Sequence, residues 1–400
     1  MKTLLILLLL SLSLSSQTLE ETYQNALQHN YQLQILEEEL AIVIQQEKIE
    51  SLWDDPVLSV GINDIQFEKP LSRDLEAMQN QYVALSQSIP LSNRLELSAQ
   101  IEEEKQRLIK EKQEALKVEI STKLRKAFIE VEYAQKRLEI LDGYIAFLKT
   151  PMQLLRELSA IEKGTVEKYI KTELLQKKYQ LQRQNALEAI EVAKENVELI
   201  SNRPVDTFEG FVGSNAYENQ TLEGLLTQVQ NNNPKLSMSE ILNEVALKGV
   251  ALAKAKEQAD IKVTAGYYQR LDRNDFISLG VAYPLYTNGK QEKQRVQAMK
   301  RVNIQALTVK ETELRLAQAL KIALHELKRL KQESEILNQS RNKIEALIRN
   351  ARLNLSTGGS LVKYYELFSQ KVENALVLNQ KQRIIALTEN RIQEILGEKL

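Results

Sequence analysis

Side chains able to ligate a transition metal are scarce in this 400-residue sequence: two histidines, His29 and His325, and no cysteine. The histidines are far apart in the chain, both in segments of helical pattern. Neither stands in a His- or Cys-rich set with the spacing that metal ligation requires. Carboxylates are plentiful, 54 Asp plus Glu, but 53 Lys plus Arg are interspersed with them. Runs such as Glu37–Glu39 and Glu102–Lys105 therefore read as solvated helix faces. No Gly-rich phosphate loop occurs, and no Ser stands in a nucleophile-elbow sequence. A net charge of −1 leaves no basic footprint for nucleic acid. The sequence predicts no enzyme, no cofactor and no metal site.

The spacing that does carry a message is alternation. Ile261, Val263, Ala265 and Tyr267 fall on one side of an extended segment, and Lys262, Thr264, Gly266 and Tyr268 on the other. Across the loop Gln269–Asp275, Ile277, Leu279, Val281 and Tyr283 alternate with Ser278, Gly280 and Ala282. An apolar outer face with a small or polar inner face is the pattern of outer-membrane barrel strands. An earlier stretch repeats it less cleanly: Leu58, Val60 and Ile62, a polar loop Asn63–Gln81, then Val83, Leu85 and Gln87, the last a poor neighbour for lipid. The predicted lipid-facing set is Leu58, Val60, Val83, Leu85, Ile261, Val263, Ile277, Leu279 and Val281. The two hairpins lie at about 56–89 and about 261–283. Strands of about eight residues fall just short of the roughly 9–11 that cross a bilayer when tilted.

Helices must hold these hairpins. Few Gly (13) and Pro (7) and abundant Leu, Ala, Glu, Lys and Gln make a long-helix composition. Residues 1–16 read as a secretory signal: Lys2, an apolar run Leu4–Leu10, then small Ser13, Ser15 and Ser16. The run is too short to span a bilayer, and no later segment is long and apolar enough to do so as a helix. A membrane location would therefore have to use strands.

The chain after residue 16 divides into two copies of one module. Thr18–Ala26 returns loosely as Thr221–Val229, His29-Asn30 near Asn232-Asn233-Pro234, and Ser59-Val60-Gly61 as Thr264-Ala265-Gly266. Ser88–Asn93 returns as Ala282–Asn288, and Glu162–Thr165 as Ser356–Gly359. Repeat 1 spans 17–204, a linker 205–220, and repeat 2 221–400. Each copy reads as helix, two strands, a very long helix, a Gly turn and a last helix. The expected helices are about 18–53, 92–163 and 165–201 in copy one, then 221–259, 290–356 and one ending near 398. At 1.5 Å per residue a helix of about 70 residues spans roughly 105 Å, and two of about 36 laid end to end match it. That is the arithmetic of a tall cylinder. Leu138, Leu141, Ile145, Leu148, Met152 and Leu155 step by three and four, as do Leu337, Ile344, Leu347 and Ala351 in part, so helices pack on helices. The fold class is mainly α, a long coiled-coil helical barrel, with a small β part.

Four strands cannot close a barrel, which takes about eight or more, and an open edge cannot survive in lipid. The chain must then assemble with its own copies. Two copies make a filled barrel, and three make one of about twelve strands with room for a lumen, which favours a homotrimer.

These landmarks resemble the TolC-like outer-membrane efflux family. Leu19–Asn30 is similar to the family's "LxxALxxN" opening, and Leu85–Asn93 and Gly280–Gly289 to its strand-to-helix corner. The corner residues are Pro90, Asn93, Pro284, Asn288 and Gly289. In copy one Asn93-Arg94 replaces the corner Gly, with Asn suited to a positive φ. The resemblance implies a trimeric transmembrane β-barrel in the bacterial outer membrane and a helical tunnel in the periplasm. It implies partners: outer-membrane lipid, a periplasmic adaptor (membrane fusion) protein and an inner-membrane pump. The adaptor would dock at tips formed by Gly164, Thr165, Gly358, Gly359 and Ser360. Asn202–Asp206 with Gln87–Leu91 most resembles the heavy-metal (cobalt–zinc–cadmium) efflux branch. The function so implied is a passive, water-filled exit duct of a tripartite efflux system. A type I secretion duct and a soluble periplasmic coiled-coil protein are the alternatives. The family's usual tip Asp is absent: the corresponding positions fall near Ile170 and Tyr364 or Tyr365, with Glu167, Glu173 and Glu366 nearby.

Overall fold

The computed structural model describes residues 17–160, 165–205, 208–209, 217, 220–355 and 360–400. The expected signal segment, most of the linker, and Gly164, Gly358 and Gly359 lie outside the described residues. Copy one runs β1 (Gln17–Thr18), α1 (Leu19–His29), α2 (Tyr31–Glu50), β2 (Val57–Asn63), β3 (Asn80–Ile89), α3 (Arg94–Ser159) and α4 (Thr165–Ser201). After β4 (Phe208–Glu209), copy two runs α5 (Leu222–Asn232), α6 (Pro234–Ala255), β5 (Ile261–Gln269), β6 (Phe276–Ala282), α7 (Lys290–Leu355) and α8 (Leu361–Leu396). The match in length is close. α3 and α7 have 66 residues each, α4 and α8 have 37 and 36, and α1 and α5 have 11 each.

One expectation is corrected. The opening helix of each copy, expected as continuous over 18–53 and 221–259, is broken into two. The break residues are Asn30 (φ −72°, ψ 117°) and Asn233 (φ −79°, ψ 114°), both extended. Each still donates its backbone N–H to the preceding helix, Asn30 to Ala26 and Asn233 to Val229. Asn30 Oδ1 accepts from the N–H groups of Gln32 and Leu33 at 3.0 and 3.2 Å, which caps α2. In copy two, Pro234 opens α6, where a missing N–H costs nothing. Thr18 and Thr221 cap α1 and α5, Thr18 through a capping box with Glu21.

The chain forms two compact units, and each draws on both copies. The first comprises Met1–Gln34, Glu114–Asn233 and Leu314–Leu400; the second comprises Ile35–Gln113 and Pro234–Glu313. In the first unit, one core gathers Leu19, Tyr23, Ala26, Leu124, Phe128 and Val197. Another gathers Leu225, Val229, Leu320, Ala323, Ile392 and Leu396. The helical stripe expected in α3 is buried at Leu141 and Leu148 and half-buried at Leu138, Ile145, Met152 and Leu155. In α7, Leu347 is exposed and Leu337, Ile344 and Ala351 are half-buried.

The closing helices α4 and α8 end alike. Asn202 stands at φ 53° after α4, and Gly397 at φ 76° after α8. This left-handed residue ends the helix, and Gly or Asn takes it most readily. At Gly397 a second constraint applies: a Cβ there would lie 2.3 Å from the carbonyl oxygen of Asn232.

Candidate functional site

The second unit carries a four-stranded antiparallel sheet in the order β2-β3-β5-β6. Its central pair, β3 and β5, joins the two copies over nine positions, from Gln81 opposite Gln269 to Ile89 opposite Ile261. Directly paired residues share a face. Leu58 pairs with Leu85, and Val60 with Val83. Val83 pairs with Tyr267, and Leu85 with Ala265. Val263 pairs with Val281, Ala265 with Leu279 and Tyr267 with Ile277. All nine positions singled out from the sequence therefore stand on one face. Most are widely exposed in the single chain: Val60 71%, Ile277 74%, Leu279 79% and Val281 70%.

Gln87 lies on the same face, opposite Val263. Its amide is occupied, donating to the carbonyls of Asp54 at 2.7 Å and Ser88 at 3.0 Å. A polar group at the helix-side end of the sheet is thus satisfied by backbone.

The opposite face is built mainly of small side chains. Ser59, Ala84, Gly266 and Ser278 form one rung across the four strands; Ser88, Lys262 and Ala282 form another across three. One rung differs: Gly61, Tyr82, Tyr268 and Phe276 stand directly opposite one another. Tyr82 and Tyr268 stack with centroids 5.4 Å apart, Tyr268 and Phe276 at 4.8 Å with planes 7° apart. Gly61 is required here, because a Cβ would meet the Tyr82 ring at 2.6 Å. Arg270 covers the far end, 5.0 Å over the Phe276 ring.

The loop between β2 and β3 is organised by one buried residue. Gln79 Oε1 accepts from the N–H groups of Leu75 and Glu76, and its amide donates to the carbonyls of Asp64 and Ser72.

The strand-to-helix corners differ between copies. Pro90 follows β3 directly, and the Asn93 carbonyl accepts from the N–H of Leu97 at 3.0 Å, opening α3. Asn93, though suited to a positive φ, does not take one; Gly289 alone of the two corners does, at φ 64°. The reason is local. Asn93 offers its carbonyl to the first turn of α3, and the next residue, Arg94, is held by a pair of carboxylates. Arg94 reaches Asp260, just before β5, with Nε–Oδ2 at 2.9 Å and Nη2–Oδ2 at 2.7 Å, and lies 3.8 Å from Asp54. Pro284, Asn288 and Gly289 form the other corner, where Lys293 donates to the Gly289 carbonyl at 3.2 Å.

Of the expected tip residues, two are described. Thr165 opens α4 and is buried; Ser360 caps α8, its hydroxyl accepting from the N–H of Lys363 at 3.4 Å. Nearby, Phe147 and Phe368 stack at 3.7 Å, with Tyr144, Tyr364 and Tyr365 around them. The positions where the family's acid would fall are thus an exposed Ile170 and two packed tyrosines. Glu167 is exposed and paired with Lys171 at 2.5 Å, so it is a solvated helix residue. Burial, reinforced by the Glu373 charge, pushes the Tyr179 hydroxyl up to about 12.

His29 is committed to structure: Nδ1 bonds the Asn25 carbonyl at 2.9 Å, and Nε2 faces Arg203 at 3.0 Å. Among the described residues no group of three His, Cys, Asp or Glu could hold a metal ion, and no helix is long and apolar enough to cross a membrane.

No protein-family model matches the sequence, and no curated protein matches it. Solved structures do. The outer-membrane channel OprN aligns over 95% of this chain and 89% of its own, at TM-score 0.78 and 12% identity. The outer-membrane protein VceC of Vibrio cholerae aligns over 95% and 96%, at TM-score 0.76 and 15% identity. CusC, described for its folding and transmembrane channel formation, aligns over 95% and 92%, at TM-score 0.75 and 12% identity. This chain has the fold of those outer-membrane channels. The nine apolar positions read from the sequence share one face of the sheet. The Arg94–Asp260 pair, the Asn30 and Asn233 breaks and the aromatic rung have no clear signal in the sequence. The rung is signalled only by Tyr82 and Tyr268, which stand opposite the apolar face, and only once the register between copies is known.

Proposed function

We propose that the protein is an outer-membrane channel whose sheet closes into a barrel with two further copies of itself, its helices lying in the periplasm. The observation that carries this reading is the single exposed apolar face running in register across β2, β3, β5 and β6. Such a face is costly in water and favourable in lipid. β2 and β6 each have one neighbour within the chain, so closure needs other chains. The likeness in fold to outer-membrane channels supports the same reading. In it Leu58, Val60, Val83, Leu85, Ile261, Val263, Ile277, Leu279 and Val281 meet lipid. The corners Pro90 to Asn93 and Pro284 to Gly289 turn the chain from barrel to helix.

The duct is passive and water-filled, and it supplies no energy. An inner-membrane pump drives the cargo, with a periplasmic adaptor docked at the helix ends around Gly164, Thr165, Gly358, Gly359 and Ser360. The resemblance at Asn202–Asp206 favours heavy-metal cations as cargo, passing through a wet lumen without a tight site.

Fractionation of the producing cell tests the location. The protein is expected in purified outer membranes, migrating as a trimer that dissociates on heating. Recovery wholly in the soluble periplasmic fraction would overturn the channel reading. Loss of metal tolerance on deletion tests the cargo.

A further inference from the structure

The sheet's inner face offers a feature that a plain duct does not need. Apart from one rung, its paired positions on β3, β5 and β6 hold small residues or Lys262: Ala84, Ser86, Ser88, Thr264, Gly266, Ser278, Gly280 and Ala282. The exception, Gly61–Tyr82–Tyr268–Phe276, lies at the loop end of the sheet, Phe276 being the first residue of β6 and Tyr268 the last but one of β5. The rings stack face to face along the rung, Tyr82 leaning over Gly61 and Tyr268 over Gly266, so they add a layer of ring atoms to the wall at this level.

We infer that this rung is an aromatic collar which sets the size limit of the barrel's outer opening, a role that rests on the closed three-chain barrel proposed above. Three chains place aromatic rings at nine of twelve wall positions at one level, and Gly61 at the other three. Twelve strands spaced about 4.8 Å apart and tilted about 40° enclose a backbone radius of about 12 Å. Rings laid over nearly every strand narrow that opening at one level, whereas the adjacent rung of Ser59, Ala84, Gly266 and Ser278 leaves it wider. The stack is self-supporting: each ring face meets another ring, the Gly61 backbone or the Arg270 guanidinium. A ridge held this way resists being pushed aside by a passing solute. The collar thus selects by size, limiting both what leaves and what enters from the loop side.

Single channels in a planar bilayer, with neutral polymers of graded size added on the loop side, read this opening directly. The collar variants Tyr268→Ala and Tyr82→Ala are expected to admit larger polymers than the wild type, and Tyr268→Phe to keep the wild-type cut-off. An unchanged cut-off in both alanine variants overturns the collar. Should those variants fail to form trimers, a second measurement leaves the rings in place. The chain has no Cys, so Ser278→Cys, one rung below, is a unique thiol. From the loop side it is expected to react with a small charged methanethiosulfonate and not with a bulky thiol reagent. Equal reaction with both overturns the collar. Wild-type protein that gives no conductance at all fails the channel reading instead, and so is distinguishable.

Discussion

Asn30 donates its side-chain amide to the main-chain carbonyl of Ile200 at 2.9 Å. One copy later, Asn233 does the same to Ile395 at 2.7 Å. In each copy the residue that breaks the opening helix also takes a carbonyl in the last turn of the closing helix. Those last-turn carbonyls have no partner within their own helix, and at Asn30, whose Oδ1 also caps α2, one side chain satisfies two helix ends. Asn30→Ala and Asn233→Ala are each expected to destabilise the fold by about 1–3 kcal/mol. Asn233, at 3% exposure, stands at the upper end. Thermal unfolding of the two variants, followed by circular dichroism, checks both the size and the order.

The left-handed helix ends allow an asymmetric test. Gly397→Ala places a Cβ against the Asn232 carbonyl, 2.3 Å away, at φ 76°. Strain and clash together are expected to cost more than about 2 kcal/mol. Asn202→Gly, at φ 53°, relieves strain and should change stability by less than about 1 kcal/mol. Denaturant midpoints of the two variants measure the contrast.

Glu104 supplies a pH dependence outside the sheet. Burial pushes its carboxyl up, but the hydrogen bond and charge of Lys248, with Arg107, outweigh that and hold it below the usual range. A carboxylate with a lowered folded pKa contributes stability that is present above the unfolded value and lost as pH falls through the folded one. Lys248→Met is expected to cost about 2 kcal/mol at neutral pH, by leaving a charge mostly buried with one partner fewer. At pH below the glutamate range, where Glu104 is protonated, the variant and wild-type melting temperatures should converge. A difference that persists unchanged at acid pH would contradict the assignment.

The two faces of the sheet should respond oppositely to charge. Leu279→Arg, on the apolar face and 79% exposed in the single chain, is expected to cost about 2–4 kcal/mol of membrane stability if it sits near the bilayer midplane. Ser278→Arg, on the opposite face, should leave assembly intact and alter conductance. Heat-modifiable migration from outer membranes scores the first, and channel recordings the second.

Much of this architecture is legible in residue order, for physical reasons. Alternation over Ile261–Tyr268 and Ile277–Tyr283 marks strands because side chains change face at every residue. The closing helix of copy one runs Thr165–Ser201, as its pattern indicates. The break at Asn30 is hidden, because His29 and Tyr31 beside it are neither Gly nor Pro. Its counterpart is signalled by Pro234, which directly succeeds Asn233. The aromatic rung is less accessible still. It depends on the register of β3 with β5, and Tyr82 and Tyr268 lie in different copies of the module. The corner at Asn93 shows that tolerance is not use: a residue suited to positive φ stands there without adopting it.

In the proposed assembly, copies of this chain close the sheet into a lumen across a membrane. Single-channel conductance of the purified protein in a planar bilayer tests it most directly. Discrete, long-lived ohmic steps are expected from the trimeric form, abolished when the trimer is dissociated by heat. A well-folded protein that stays in solution and never conducts would contradict it.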